Sequence, residues 1–154
     1  MKQTGLNNEY AENTAAKLNE LLADVQIMYM NTRGFHWNIK GNRFFILHEK
    51  FEEFYNELNL MADQIAERIL MIGGKPVHAY SQYIKMASIQ ESINKDSAEE
   101  TINEILEGLT VLLKKERSII AEAAQHSDDG TVDLLTGYIS AQEKEMWMYG
   151  AFLG

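Results

Sequence analysis

Apolar side chains recur at three- and four-residue spacings through four long stretches of this chain, which is the pattern of amphipathic helices. The stretches predict helices from about residue 8 to about 39, from Asn42 to Gly73, from Asp96 or Ser97 to about 126, and from the turn at 127–130 onward. Each helix would be about 25–30 residues long, roughly twice the usual length, and helices of that length pack naturally side by side. The pattern therefore predicts an all-α four-helix bundle.

The connections between these helices are unequal in length. The first and third are a few residues long, whereas the second runs from Gly73 to about Asp96. A short link forces antiparallel neighbours, and a long link can carry the chain back along the bundle, as in ferritin-like folds with one crossover. The segment 86–93 has enough helical character for one or two turns inside this crossover. No repeat or domain boundary is visible, so residues 1–154 are expected to form a single domain.

Composition excludes several kinds of site. The chain has no cysteine, which excludes disulfides, thiolate zinc sites, iron–sulfur clusters and a cysteine nucleophile. No stretch without charged residues is long enough to span a bilayer, and the first ten residues lack the apolar core of a signal peptide. We therefore expect a soluble protein located in the cytoplasm.

The chain is acidic, with 14 Lys and Arg against 23 Asp and Glu and a net charge of −9. One interpretation is that the excess carboxylates only keep the protein in solution. The other is that they bind hard cations, because carboxylate oxygens suit magnesium, calcium, manganese and iron. Composition alone does not choose between the two.

Four residues form a candidate metal-ligand set. His36 and His48 flank the turn at Gly41, so antiparallel helices would bring their rings to one region, and Asp63 and Glu67 share a helix face further along. Such mixed nitrogen and oxygen ligands suit iron. The alternative is that the histidines are structural and the acids form a solvated face. His48 and Asp63 are about 22 Å apart along one helix, so a site using all four residues needs a second subunit across a two-fold axis.

Residues 35–76, FHWNIKGNRFFILHEKFEEFYNELNLMADQIAERILMIGGKP, closely resemble the signature of the Dps family, the mini-ferritins. The final segment, SDDGTVDLLTGYISAQEKEMWMYGAFLG, resembles the last helix of that family. The resemblance implies a hollow dodecamer that oxidises Fe(II), preferably with hydrogen peroxide, and stores ferric mineral inside, protecting against oxidative damage. It also implies that His36 and His48 come from one subunit, and Asp63 and Glu67 from its two-fold mate, to form an iron-binding ferroxidase site.

Three further residues of this site follow from the resemblance. Glu52 stands where the family usually has Asp, four residues after His48, so its carboxylate is expected to bind iron from a position shifted by one methylene. This shift is expected to alter occupancy of a second, weaker iron position. Trp37 and Trp147 match family tryptophans near the site. They are either packing residues or electron sources that absorb stray oxidising equivalents.

Two groups of acids have both a structural and a functional interpretation. Asp128, Asp129 and Asp133 open the fourth helix, where negative charge stabilises the positive end of the helix dipole. The resemblance implies that they also line a three-fold pore, where repeated carboxylates would concentrate Fe(II). By the same resemblance, Glu49 and Glu53 are expected to face the cavity of the shell as nucleation sites for mineral.

DNA compaction is the alternative function for a member of this family. That activity usually depends on a lysine-rich terminal tail, and this chain has only Lys2 before the first helix. A net charge of −9 also opposes binding to phosphates, because few cations are available to displace the counterions of DNA. The sequence therefore argues against DNA as a partner.

Overall fold

The computed structural model describes residues 4–154, and within this range the chain is entirely helical with no strand. The helices are α1 (Asn8–Asn38), α2 (Phe44–Met71), α3 (Tyr80–Met86), α4 (Ala98–Gln125) and α5 (Asp129–Leu153). The predicted all-α bundle with a short helix in its crossover is confirmed. Lys2 lies outside the described residues. None of the helices in the described range is long and apolar enough to cross a membrane.

Side chains cap three of the long helices at their first turns: Asn7 caps α1, Ser97 caps α4 and Asp128 caps α5. Asn7 accepts a hydrogen bond from the amide of Tyr10, and Ser97 accepts one from the amide of Glu100, each satisfying an amide that has no partner within the helix. The prediction that Asn42 caps the second helix was wrong. That helix follows Arg43, whose side chain makes no capping hydrogen bond.

The four long helices form two hairpins that pack together. In one hairpin α1 packs along α2, in the other α4 packs along α5, and α1 also contacts α4. Burying each large apolar side chain contributes about 1.5–3 kcal/mol. The largest fully buried side chains come from α1, from α2 with the residue that follows it, and from α4: Phe51, Leu18, Leu21, Leu22, Leu47, Ile65, Ile69, Ile72, Ile102, Ile105, Leu109 and Leu112.

Three polar side chains of α1 hold the crossover against the bundle. Asn19 accepts a hydrogen bond from the amide of Val77 at 2.8 Å and donates one to the carbonyl of residue 75 at 3.1 Å. Asp24 accepts from the amides of Ser88 and Ile89. Asn31 binds residues 90 and 92 in the same two-sided way. The crossover therefore runs along the length of α1.

These contacts also explain where the short helix lies. We predicted helical turns at 86–93, but α3 spans Tyr80–Met86 and no helix follows it up to residue 97. The backbone amides at 88, 89 and 92 donate to Asp24 and Asn31 rather than to carbonyls four residues earlier. Side chains of α1 thus replace the hydrogen bonds that would have continued the helix.

Two glycines connect the end of α2 to the crossover, where the backbone passes close to α1. Gly73 has a φ of +86°, a conformation that costs glycine nothing. At Gly74 a Cβ atom would lie 2.6 Å from the Cβ of Ala15 and 2.9 Å from a methyl of Ile69. Only a residue without a side chain fits there, so the end of α2 can approach α1 closely.

Candidate metal centre

The two histidines of the candidate site meet where α1 and α2 join. Their rings stack with centroids 3.8 Å apart and an angle of 14° between planes. His36 is 7% exposed and His48 is half-buried. The structure therefore brings together the pair that the turn at Gly41 predicted.

Hydrogen bonds fix which ring nitrogen of each histidine is available. His36 Nδ1 lies 2.5 Å from the carbonyl oxygen of His48, and His48 Nδ1 lies 2.7 Å from the carbonyl oxygen of His36. A carbonyl only accepts, so each Nδ1 carries the proton that it donates. In the neutral imidazoles both Nε2 atoms then keep their lone pairs, which is the arrangement of a metal-binding histidine held by its other nitrogen.

A continuous row of aromatic rings holds this pair in place. Phe44 stacks on His48 at 4.9 Å, and the edge of Tyr55 meets the ring of His36 at 5.5 Å. Tyr29 in turn packs edge-on against Tyr55 at 5.9 Å. Sequence reasoning missed Tyr55, although its position seven residues after His48 places it on the same face of α2.

A guanidinium group lies among these rings. The Arg33 guanidinium lies 4.8 Å from the ring centroid of Trp37, 5.4 Å from that of Tyr29 and 5.8 Å from that of Tyr55. Trp37 itself is 54% exposed. Desolvation by burial and, to a smaller extent, the negative charge of Glu52 raise the pKa of the Tyr55 phenol. Its hydroxyl therefore stays protonated at neutral pH.

The predicted acidic ligands lie apart from the histidines. Glu52 is exposed one helical turn beyond His48, whereas Asp63 and Glu67 are exposed further along α2. Asp63 borders a groove of about 400 Å³ between α1, α2 and α3. Within residues 4–154, no three His, Asp or Glu side chains lie close enough to hold a metal ion. Within one subunit, the two histidines and the acids Asp63 and Glu67 therefore lie at separate places along the bundle.

The acids at the start of α5 fall into two kinds. Asp128 is 2% exposed and accepts hydrogen bonds from the Tyr10 hydroxyl at 2.8 Å, from Arg68 at 2.5 Å and from the Thr131 hydroxyl at 2.7 Å. Burial alone raises the pKa of its carboxyl, but the hydrogen bonds from Thr131 and Tyr10 outweigh burial and hold that pKa below its usual value. Asp128 is thus a helix cap with its oxygens occupied, while Asp129 and Asp133 are exposed.

The remaining candidate residues are exposed on the surface of the single subunit. Trp147 is 68% exposed on α5. Glu49 and Glu53 are exposed on α2, and Glu53 lies 3.5 Å from Lys50. The Lys50 ammonium also contacts Glu145 at 3.1 Å. Glu49 therefore has the less constrained carboxylate of the two proposed nucleation residues.

Known proteins resemble the chain over almost its whole length. A ferritin-like domain model matches residues 15–154. An uncharacterised protein of Haemophilus influenzae is 48% identical, over 96% of this chain and 92% of its own. A DNA protection during starvation protein of Porphyromonas gingivalis is 41% identical, over 99% of this chain and 96% of its own.

Solved structures give the same result. A Dps protein from Vibrio cholerae, described as belonging to a broad superfamily of ferritin-like diiron-carboxylate proteins, superimposes with a TM-score of 0.98 at 42% identity, covering 100% of this chain and 98% of its own. A Dps protein from Bacillus brevis matches with a TM-score of 0.92 at 34% identity, covering 97% and 100%. The fold, the histidine pair and these relatives together establish that the chain belongs to the Dps proteins of the ferritin-like family.

Proposed function

We propose that this chain, acting as a single domain per subunit, is a ferroxidase and iron-storage protein. It oxidises Fe(II) with hydrogen peroxide at a site shared by two subunits and stores ferric mineral inside a shell of twelve copies, which protects against oxidative damage. Membership of the ferritin-like family supports iron storage and oxidative protection in general. The observation that carries the proposal is the reciprocally hydrogen-bonded pair of His36 and His48, with both Nε2 lone pairs free.

Each proposed site joins ligands from two subunits. His36 and His48 would supply neutral nitrogens from one subunit, and Asp63 and Glu67 would supply anionic oxygens from the other. This mixture suits iron. The groove beside Asp63 offers space for the histidine-bearing end of a second copy. Glu52, on the same helix face as His48, would contribute a further carboxylate for a second Fe(II).

Iron is the substrate of this reaction. Two Fe(II) each give one electron to one hydrogen peroxide, which takes up two protons and leaves as two water molecules. Pairing the electrons avoids the one-electron cleavage that releases hydroxyl radical. The protein contributes by holding both reductants near one peroxide. Trp37 and Trp147 would give electrons to any oxidising equivalent that is not consumed by iron.

The first prediction concerns stoichiometry and the histidine pair. Anaerobic protein loaded with Fe(II) should consume two Fe(II) per hydrogen peroxide added, measured by absorbance of the ferric product. The variant with His36→Ala and His48→Ala should lose at least about 100-fold in rate. Mutating even a residue that only hydrogen-bonds to a metal ligand lowers metal affinity or activity about 10- to 100-fold, and this variant removes two ligands.

The matched control is His78→Ala, which removes an exposed histidine of the crossover and should leave the rate unchanged. Oxidation by dissolved oxygen as fast as by peroxide would contradict the proposed oxidant. Unimpaired oxidation in the double histidine variant would contradict the site itself.

The second prediction concerns the proposed iron pore. Asp129→Asn combined with Asp133→Asn should slow iron uptake about three- to tenfold at low Fe(II), because a ring of carboxylates raises the local cation concentration. Assembly should persist, because Asp128 still caps α5. Stopped-flow uptake kinetics and light scattering check the two expectations.

The control for the pore variant carries Glu99→Gln and Glu107→Gln, which remove two exposed carboxylates of α4. Equal uptake in the pore variant and this control would leave Asp129 and Asp133 with only their effect on the helix dipole.

A further inference from the structure

Among residues 4–154, one carboxyl group is buried in the bundle without an ion-pair partner. Glu116 on α4 is 0% exposed, and its Oε1 accepts a hydrogen bond from Gln142 Nε2 at 2.7 Å. The neighbouring Arg117 is exposed and contacts Glu143 at 2.5 Å. An ionised carboxylate in this position would have almost no compensation for its lost hydration.

Within residues 4–154, no Lys or Arg forms an ion pair with Glu116, and the lysines of the core are paired with other carboxylates. On α1, the buried Asp24 is paired with Lys115. Lys50 of α2 is paired with Glu145 and Glu53. The titratable residues that line the adjacent cavity of about 190 Å³ between α2 and α5 are Glu57, Tyr138 and Glu145. Each of these three lining side chains is neutral or anionic, so none of the three favours an ionised Glu116.

Two buried oxygen atoms of this pair lack a partner in the described part of the chain. They are Glu116 Oε2 and Gln142 Oε1, and both are acceptors when Glu116 is ionised. The amide nitrogen of Gln142 is already used, since it donates to Glu116 and contacts the sulfur of Met61 at 3.8 Å. Two acceptors cannot bind each other, but a single proton between them would satisfy both.

We propose that Glu116 is protonated in the folded subunit and forms a closed acid–amide pair with Gln142, so that folding takes up a proton and ionisation weakens the bundle. In this pair the Oε2 hydroxyl of Glu116 donates to Gln142 Oε1, while Gln142 Nε2 donates to Glu116 Oε1. Every polar atom of the pair then has a partner. The bundle becomes a pH-sensitive element that is separate from the iron site.

Electrostatics agree with this geometry. Desolvation by burial raises the pKa of Glu116 from 4.5 to about 7, against the opposing effects of the Gln142 hydrogen bond and the Arg117 charge. Because the folded pKa is above the unfolded one, the stabilisation is fully present below about pH 4.5 and is lost as pH rises to about 7. Linkage with these two values gives a loss of about 70-fold in the folding equilibrium between pH 5 and pH 8.

The neighbouring cavity shows where an ionised Glu116 would find water. Gln142 and Glu145 line that cavity, and the buried atoms Glu145 Oε2 and Tyr149 OH on the same face of α5 also lack partners. Ionisation would leave Glu116 Oε2, on the adjacent α4, as a further buried acceptor without a partner.

The test compares the wild-type shell with Glu116→Gln, which keeps the shape of a neutral acid but cannot ionise. Urea unfolding midpoints are measured from pH 5 to pH 8. Relative to the variant, the wild type should lose about 70-fold per subunit in its folding equilibrium over this range. The control Glu107→Gln removes an exposed carboxyl of the same helix and should follow the wild type. Parallel profiles for wild type and Glu116→Gln would overturn the proposal.

A second measurement does not depend on the variant folding. Infrared spectra of the intact wild-type protein should show the stretching band of a protonated carboxyl at pH 6 that fades as pH rises through about 7. Absence of this band at pH 6 would show that Glu116 is ionised, which would also overturn the proposal. Both measurements are independent of iron oxidation.

Discussion

Shells reassembled from two inactive variants should regain about a quarter of the wild-type ferroxidase sites. One variant carries His36→Ala and His48→Ala, and the other carries Asp63→Ala and Glu67→Ala. Each alone should lose nearly all rapid oxidation, because every site lacks one half of its ligands. The measurement is the initial rate of Fe(II) oxidation after the two variants are unfolded together and refolded.

The expected quarter follows from two-fold symmetry. Random mixing of equal amounts makes half of the subunit pairs mixed. A mixed pair has one site with no ligands and one with all four, so half of its sites are complete. Recovery requires no new contact and only that the ligands come from different chains.

Mixing the same two variants after separate assembly is the control, because no mixed pairs form. Failure to recover activity in shells shown by mass spectrometry to contain both chains would overturn the shared site. The separation of the histidines from the acids within one subunit supports the proposal.

The largest loss of stability should follow Asp24→Ala. Asp24 is fully buried, accepts amide hydrogen bonds from Ser88 and Ile89 at 2.7 and 2.8 Å, and pairs with the Lys115 ammonium. Removing it leaves a largely buried cation and two amides without an acceptor. Breaking a buried pair in this way costs about 3–5 kcal/mol. The free energy of unfolding in urea, measured at pH 7, gives the value.

The control is Asp96→Ala. Its carboxylate pairs with Lys40 at 2.9 Å, but both side chains are well exposed, so the loss should be below about 1 kcal/mol. Equal losses in the two variants would show that Asp24 does not anchor the crossover. Asp24 lies twelve residues from His36, about 18 Å along α1, so any shells that the variant forms should keep the histidine pair in place.

The capping interactions show how closely local sequence patterns predict helix ends. The first helix was predicted from about residue 8 to about 39, and α1 spans Asn8–Asn38. The third long helix was predicted to begin after Asp96 or Ser97, and α4 begins at Ala98. Apolar periodicity, capping side chains and glycines act over a few residues. The pattern of His36 and His48 around Gly41 was equally local: it predicted that the two rings lie in one region, and the structure adds that they stack.

Contacts between distant segments decided the rest. The short helix lies at Tyr80–Met86 because Asp24, more than sixty residues earlier, binds the amides that would have continued it. Asp128 is buried because Tyr10 and Arg68 reach it from other helices. The free Nε2 atoms of the histidines and the orphaned oxygens of Glu116 and Gln142 depend on how the helices are rotated against one another. Sequence periodicity fixes which face of a helix is buried, but hydrogen-bond partners across helices exist only once those faces are packed.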